Sequence, residues 1–200
     1  MKHIINYLNL VSVAFILAAG FGCASMPPPN FTPSSVGMIK QKAPANLKTI
    51  SVAIAQPNEQ VGKKVDLGQQ AAYLPGWADV PGYWKNALEN ALIRANAFDS
   101  SNTKHVIILV KILEYWQPFM SGEFPTTITA QYEIIDAANG AIVFTSTITS
   151  VGKTEMGHAF LGKTRSLESQ NRGVQMNIIQ FIQQLDGADL SKTVFPGRKN

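Results

Sequence analysis

The run GHAFLGKT, from Gly157 to Thr164, fits the phosphate-loop pattern GxxxxGK[ST] letter for letter. In such a loop, backbone amides at a helix start cradle phosphates, Lys163 would reach the outer phosphate oxygens, and Thr164 would hold Mg²⁺. The surrounding chain argues against that chemistry. A phosphate loop normally opens its fold, and later parallel strands supply the Mg²⁺-binding acid, whereas only one helical stretch and a tail follow here. Phe160 and Leu161, in the interior of the run, are expected to pack under a neighbouring element. A chance match on a loop is therefore expected, with no bound cofactor.

Other catalytic chemistry is thinner still. Beyond the first few residues the chain has two histidines, His105 and His158, too far apart in sequence to define a metal site by themselves. Neither HExxH nor GxSxG occurs. Glu114, Glu123, Glu133 and Asp136 are the acids that would have to pair as general acid and base, and strand carboxylates facing outward are ordinarily solvated. The expectation is a protein that is not an enzyme and has no metal site.

Aromatic side chains are the remaining signal. Tyr73, Trp77, Tyr83 and Trp84 fall in or beside a long polar, Gly-rich stretch, and Tyr115, Trp116, Phe119 and Met120 cluster around Pro118. Large amphipathic rings on loops favour contact surfaces, so Tyr73, Trp77, Trp116 and Phe119 are the candidate residues for binding a protein partner. The alternative is a satellite core closing the end of a small sheet, and Trp84 is expected there from its helix. Lys63, Lys64, Lys163 and Arg165 would add attraction to anionic lipid or wall polymer, or be merely solvated.

The elements that position these residues follow from periodicity. Leu47 to Ala55 alternates Ile50, Val52 and Ile54 on one face, as a half-buried strand does. Trp84, Leu88, Ala91, Leu92 and Ala95 recur at helical spacing, which predicts an amphipathic helix from Pro81 to Ala97. His105 to Trp116 begins as a continuous apolar run and ends in alternation, the pattern of a central strand covered on both faces at one end. Ile128, Ala130, Tyr132 and Ile134 alternate with polar residues, Asn139-Gly140 supplies a turn, and Ala141 to Val151 gives the return strand. Val174, Ile178, Phe181, Ile182 and Leu185 form the stripe of a last helix from about Glu168 to Leu185, ended near Gly187. The order β-α-β-β-β-α predicts an α/β or α+β fold in two layers, four strands with both helices on one face.

The start of the chain carries the argument about place. Lys2 gives a positive n-region, and Leu10 to Leu17 is an apolar core too short to span a bilayer as a mature helix. AAGFGC then places the only cysteine of the chain, Cys23, after a small residue. This resembles the lipobox of bacterial lipoproteins, with Gly20 and Phe21 standing where that family usually has Leu and a small residue. The resemblance implies cleavage of residues 1–22 and lipidation of Cys23; an ordinary signal peptide or an uncleaved anchor are the alternatives. Ala24 stands where an Asp would resemble the inner-membrane retention signal, which implies an outer-membrane address facing the periplasm, where no ATP pool exists for a phosphate loop.

Loss of Lys2 with the signal leaves sixteen basic and thirteen acidic side chains. They are dispersed, so no nucleic-acid stripe is present. With Cys23 lipidated no internal disulfide can form, and the fold depends on an apolar core. Residues 23–46, with SMPPPNFTPSSVG, have a composition expected to stay extended as a tether. Residues 47–190 make a single domain and 191–200 a tail; the part after the tether, about 155 residues, suffices for one core.

YEIIDAANGAIVFTSTI, a strand, Asp136, the Gly140 turn and a return strand, resembles the hairpin of small envelope lipoproteins of the YajG type. More distantly, the element order is similar to the α/β domain of LpoB and CsgG. With the aromatic loops as contact surface, the first reading is a membrane-anchored, non-enzymatic assembly or accessory factor that binds another envelope protein. The other readings are a lipid, glycan or peptidoglycan-binding module with a groove between sheet and helices, and, third, a nucleotide-using enzyme. If Cys23 is acylated, Cys23→Ser should release the protein from membranes on fractionation, because two or three acyl chains hold far more firmly than a surface patch. Wild-type chain found wholly in the soluble periplasmic fraction would refute the anchor.

Overall fold

A computed structural model describes residues 27–62, 65, 79–118, 124–159 and 161–197. The elements are β1 (Asn46–Ile54), α1 (Val80–Arg94), β2 (His105–Trp116), β3 (Thr126–Asp136), β4 (Ile142–Gly152) and α2 (Gly162–Leu185), in the order β-α-β-β-β-α. The strands form one mixed sheet ordered β1-β2-β3-β4, with β1 parallel to β2 and the other two pairs antiparallel. A parallel pair needs a crossover connection, and α1 provides it. The fold is therefore α+β in two layers, as the periodicities imply.

One face of the sheet carries the core. Val106, Ile108, Val110 and Ile112 of β2 and Ile128, Ala130, Tyr132 and Ile134 of β3 pack with Trp84, Leu88 and Ala91 of α1 and with Val174, Ile178 and Phe181 of α2. A bulge between Ile112 and Glu114 shifts the phase of β2, so that Tyr115 is fully buried three residues after Ile112. The other face bears Thr127, Gln131 and Glu133 of β3 and Thr145 and Thr147 of β4. The first half of β2 is not covered on both faces among the described residues. Ile107 and Leu109 stay half-buried, because both described helices lie on the side of Val106 and Ile108.

Helix boundaries differ from their apolar stripes for local reasons. Asp79 caps α1 by accepting the Gly82 N–H at 2.9 Å. The helix stops at Arg94, short of Ala97, because Asn96 adopts a left-handed φ of 55°. Ala97 N–H then returns to Leu92 O and Asn96 N–H to Ile93 O, closing the end in a Schellman pattern. Helix α2 begins at Gly162, six residues before the expected start at Glu168. Its early buried residues include Ser169, Gln170 and Asn171, polar groups that leave no apolar stripe to read.

The Pro-rich segment departs most from expectation. It is irregular, yet from Asn30 to Ala45 it lies docked on the helices and is not a free tether. Phe31 is 1% exposed and meets Trp84 edge-on with ring centres 6.4 Å apart. Asn30 donates its backbone N–H to Asn171 Oδ1 at 3.0 Å and accepts from Gln175 Nε2 at 2.8 Å. Further along, Arg94 donates to Pro33 O at 2.6 Å, Ile39 N–H to Ala95 O, and Lys40 N–H to Asp186 Oδ1. The composition is poor in apolar residues, but Phe31, Ile39 and Ala43 are all placed in the core. The folded unit thus starts well before Leu47. Phe31→Ala should lower unfolding stability by about 3 to 5 kcal/mol in a denaturant melt, the cost of emptying an aromatic core site. A shift below about 0.5 kcal/mol would mean that the arm is not docked.

Candidate functional site

The phosphate-loop pattern is placed at the start of a helix, since Gly162, Lys163 and Thr164 form the first turn of α2. The rest of the geometry does not follow. Strand β4 is at the edge of the sheet and runs antiparallel to β3, its neighbour, so among the described residues no parallel strand lies beside the loop to bring an acid for Mg²⁺. The amides of Thr164 and Arg165 both donate to Leu161 O, at 3.1 and 3.3 Å. Arg165 Nη1 donates back to Met156 O at 2.8 Å, and its guanidinium sits 5.6 Å from the centre of the Phe124 ring. Leu161 does not pack under an element as expected but is 64% exposed, and Phe160 lies outside the described residues.

Beneath the start of α2 is a buried polar cluster that sequence reasoning missed. Tyr115 donates to Gln170 Oε1 at 3.1 Å, and Gln170 Nε2 donates to Gln117 Oε1 at 3.2 Å. Gln117 Nε2 in turn donates to Thr126 Oγ1 at 2.8 Å, and Ser169 donates to Gly152 O at 2.9 Å. About two turns further along, Tyr132 donates to Asn177 Oδ1 at 2.9 Å while Asn177 Nδ2 donates to Ile148 O at 3.0 Å. Burial raises the pKa of both tyrosines above the ordinary phenol value. Trp84 Nε1 lies towards the Tyr132 hydroxyl but outside hydrogen-bonding geometry. Apart from Trp84 Nε1, these groups satisfy one another and hold α2 to the sheet, which is a structural role.

Among the described residues, the other sequence candidates do not converge. His105 opens β2, and His158 follows the far end of β4, at the opposite end of the sheet. No cluster of metal-ligating residues exists among those described. Glu114 accepts from Thr129 Oγ1 at 3.1 Å, and Glu133 is four residues further along β3 from Thr129. That is roughly 13 Å of strand, too far for an acid and base pair. Asp136 faces Lys104 at 3.6 Å and caps the hairpin turn through Ala138 N–H. Trp116 is half-buried at the end of β2. Tyr73, Trp77, Phe119, Glu123, Lys63, Lys64 and Cys23 lie outside the described residues.

A concave surface does occur beside β1. It encloses about 420 Å³ between the first half of that strand and one flank of α1. Leu47, Ile50, Leu92 and Phe98 make its apolar part, with Lys48, Lys85 and Glu89 around them. Ile93, also lining it, is 73% exposed. Strand β1 is an edge. Ala55 N–H donates to Ile112 O, so the two-residue ladder repeat turns the N–H and C=O of Ile50, Val52 and Ile54 away from β2. One signal for this groove was present in the sequence: Ile93 is an aliphatic residue off the buried stripe of its helix.

No family model matches the sequence, and neither does any curated protein. Solved structures do match in shape. Protein XCC0632 from Xanthomonas campestris, described with the family model DUF330, superposes at a TM-score of 0.52 with 7% identity, over 78% of this chain and 94% of that one. PelC from Paraburkholderia phytofirmans, solved as a dodecamer, gives 0.44 with 12% identity over 76% and 96%. A minor lipoprotein from Acinetobacter baumannii gives 0.39 with 15% identity over 70% and 93%. The first of these shares the fold, and at such identity the likeness is one of fold alone.

Lys163→Ala should change stability by no more than about 0.5 kcal/mol, since an exposed lysine on the first turn has no partner geometry to lose. Thermal melts with and without Mg-ATP are expected to coincide. An ATP-dependent rise in Tm that disappears in the variant would restore the phosphate-loop reading.

Proposed function

We propose that the chain is a membrane-anchored envelope lipoprotein, facing the periplasm from the outer membrane, that acts without catalysis as an assembly or accessory factor. Its task is to bind another envelope protein. The observation that carries the binding role is the groove between edge strand β1 and α1, with backbone groups of Ile50, Val52 and Ile54 directed outward. An extended segment of a partner adds to such an edge through main-chain hydrogen bonds, and its alternate side chains enter the groove.

Support for the anchor comes from the apolar leader and Cys23, and from the likeness to envelope lipoproteins of the YajG type. Support for a non-catalytic role comes from the separation of the histidines and carboxylates and from the structural duty of the buried polar cluster. The reading as a lipid or glycan module is less favoured, because the space between sheet and helices is filled by Trp84, Tyr115, Tyr132 and Phe181, all fully buried. Tyr73, Trp77, Trp116 and Phe119 belong to the same proposal as further contacts to the partner.

A photo-crosslinking residue at Ile93 should trap a discrete partner in cells, and one at Ala138, on the exposed hairpin turn, should not. Ile93→Asp should weaken association by about 1 to 3 kcal/mol, and Trp77→Ala and Phe119→Ala are measured beside it. The denaturant midpoint of Ile93→Asp should match the wild type. Equal adducts at both positions, or full association by Ile93→Asp, would rule out the groove.

A further inference from the structure

The docked arm has a direction. Its partners advance from Asn171 and Gln175 near the middle of α2, through Trp84, to Arg94 and Ala95 at the end of α1 and Asp186 at the end of α2. The arm therefore runs in the direction of α2, and its first docked residue, Asn30, lies nearer than the later ones to the end of the sheet where α2 begins and β4 stops. Asn171 and Gln175 are nine and thirteen residues into α2, about 14 to 20 Å from its start. Cys23 is seven residues before Asn30 and so lies within about 25 Å of it at full extension.

At that same end the β4–α2 connection presents two large apolar side chains to solvent, Met156 at 66% exposed and Leu161 at 64%. The exposed side chains of Lys153, His158 and Lys163 flank them, and Glu155 is the one acid between Val151 and Lys163. Apolar residues standing out beside two lysines match a bilayer surface, where the side chains enter the acyl boundary and the lysines meet lipid phosphates. We infer that this tip is a second membrane contact: the lipid on Cys23 and the Met156–Leu161 connection touch the same bilayer, and the groove beside β1 is held at a fixed orientation to it. The inference rests on the lipoprotein reading above. A tether of the full length from Cys23 to Asn46 would leave the tip free to stand far from the bilayer; the docking of Asn30 to Ala45 shortens the free link and keeps the tip within its reach.

The test uses the full-length chain, purified from membranes and reconstituted in vesicles of phosphatidylethanolamine and phosphatidylglycerol. An acylated Cys23 leaves no other thiol, so Met156→Cys, Leu161→Cys and Lys192→Cys can each be labelled singly with an environment-sensitive fluorophore. Lys192 lies beyond the other end of α2 and is 83% exposed at its side chain. Probes at 156 and 161 are expected to shift to the blue and to lose most of their quenching by aqueous iodide on reconstitution, while the probe at 192 stays fully quenched. Lys153→Glu with Lys163→Glu should reverse that protection without releasing the protein from the vesicles. Equal quenching at all three positions in an acylated chain overturns the membrane contact and leaves the anchor standing. Protection in native envelopes but not in protein-free vesicles assigns the tip to a protein partner and also overturns it. Labelling of the unmutated chain at Cys23 removes the anchor and the inference together.

Discussion

Gly152 at the end of β4 and Gly173 in α2 bring the backbones of strand and helix into contact, and the rest of the helical layer is set by that approach. A Cβ on Gly152 would stand 1.9 Å from Ser169 O, and one on Gly173 would stand 2.8 Å from Ile128 Cδ1. With the helix this close, there is no room for water between them, so polar groups must find partners within the protein. Ser150 accordingly donates to Gly173 O at 2.9 Å, and Asn177 reaches the Ile148 carbonyl at 3.0 Å. The first turns of α2 are thus polar and buried at once. From Val174 on the stripe is apolar except for Asn177, and it meets Tyr132, whose ring stacks on Phe181 at 4.2 Å.

Helix α1 has a different constraint, because it is the crossover between two parallel strands and must lie over β1 and β2. The two helices therefore run in the same direction over different halves of the sheet, and the space between them is filled from outside by the arm. Phe31 fills part of it against Trp84. The arm also meets the last turns of both helices: Ala95 and Ala97 carbonyls accept from Ile39 and Ala43, and Asp186 accepts from Lys40. A segment with few apolar residues orders here because the groove and the helix ends are already formed. Its order fixes where the preceding part of the chain joins the domain, which links core packing to the orientation proposed for function.

The two edges of the sheet are treated unequally. The edge at β4 is met by the tail, where Val194 and Phe195 donate to Ile142 O and Phe195 O accepts from Ile142. The edge at β1 borders the groove instead. An edge flanked by a helix flank with an exposed Ile93 is the surface on which the proposed binding of an extended partner rests.

The sequence by itself determined the element order, the hairpin and the central strands, because each has an apolar period matching its secondary structure and a turn residue to end it. Strand β2 was legible to the residue, His105 to Trp116, and the left-handed Gly140 and Gly187 mark the turn and the helix end where the residue type alone placed them. Tertiary structure decided what has no local period. The start of α2 at Gly162 was hidden because its buried face carries Ser169, Gln170 and Asn171, whose place inside depends on partners from β2, β3 and β4. The arm was hidden for the same reason: Phe31 is one ring in a Pro-rich run, and only the gap between two helices makes it a core residue. Likewise the meaning of GHAFLGKT was not in its letters, since a phosphate loop needs a neighbouring parallel strand, and the antiparallel pairing of β4 with β3 is a property of the whole sheet. Local pattern specifies which segments are regular; which of them touch, and which side chains are left facing water, is fixed by packing among residues far apart in the chain.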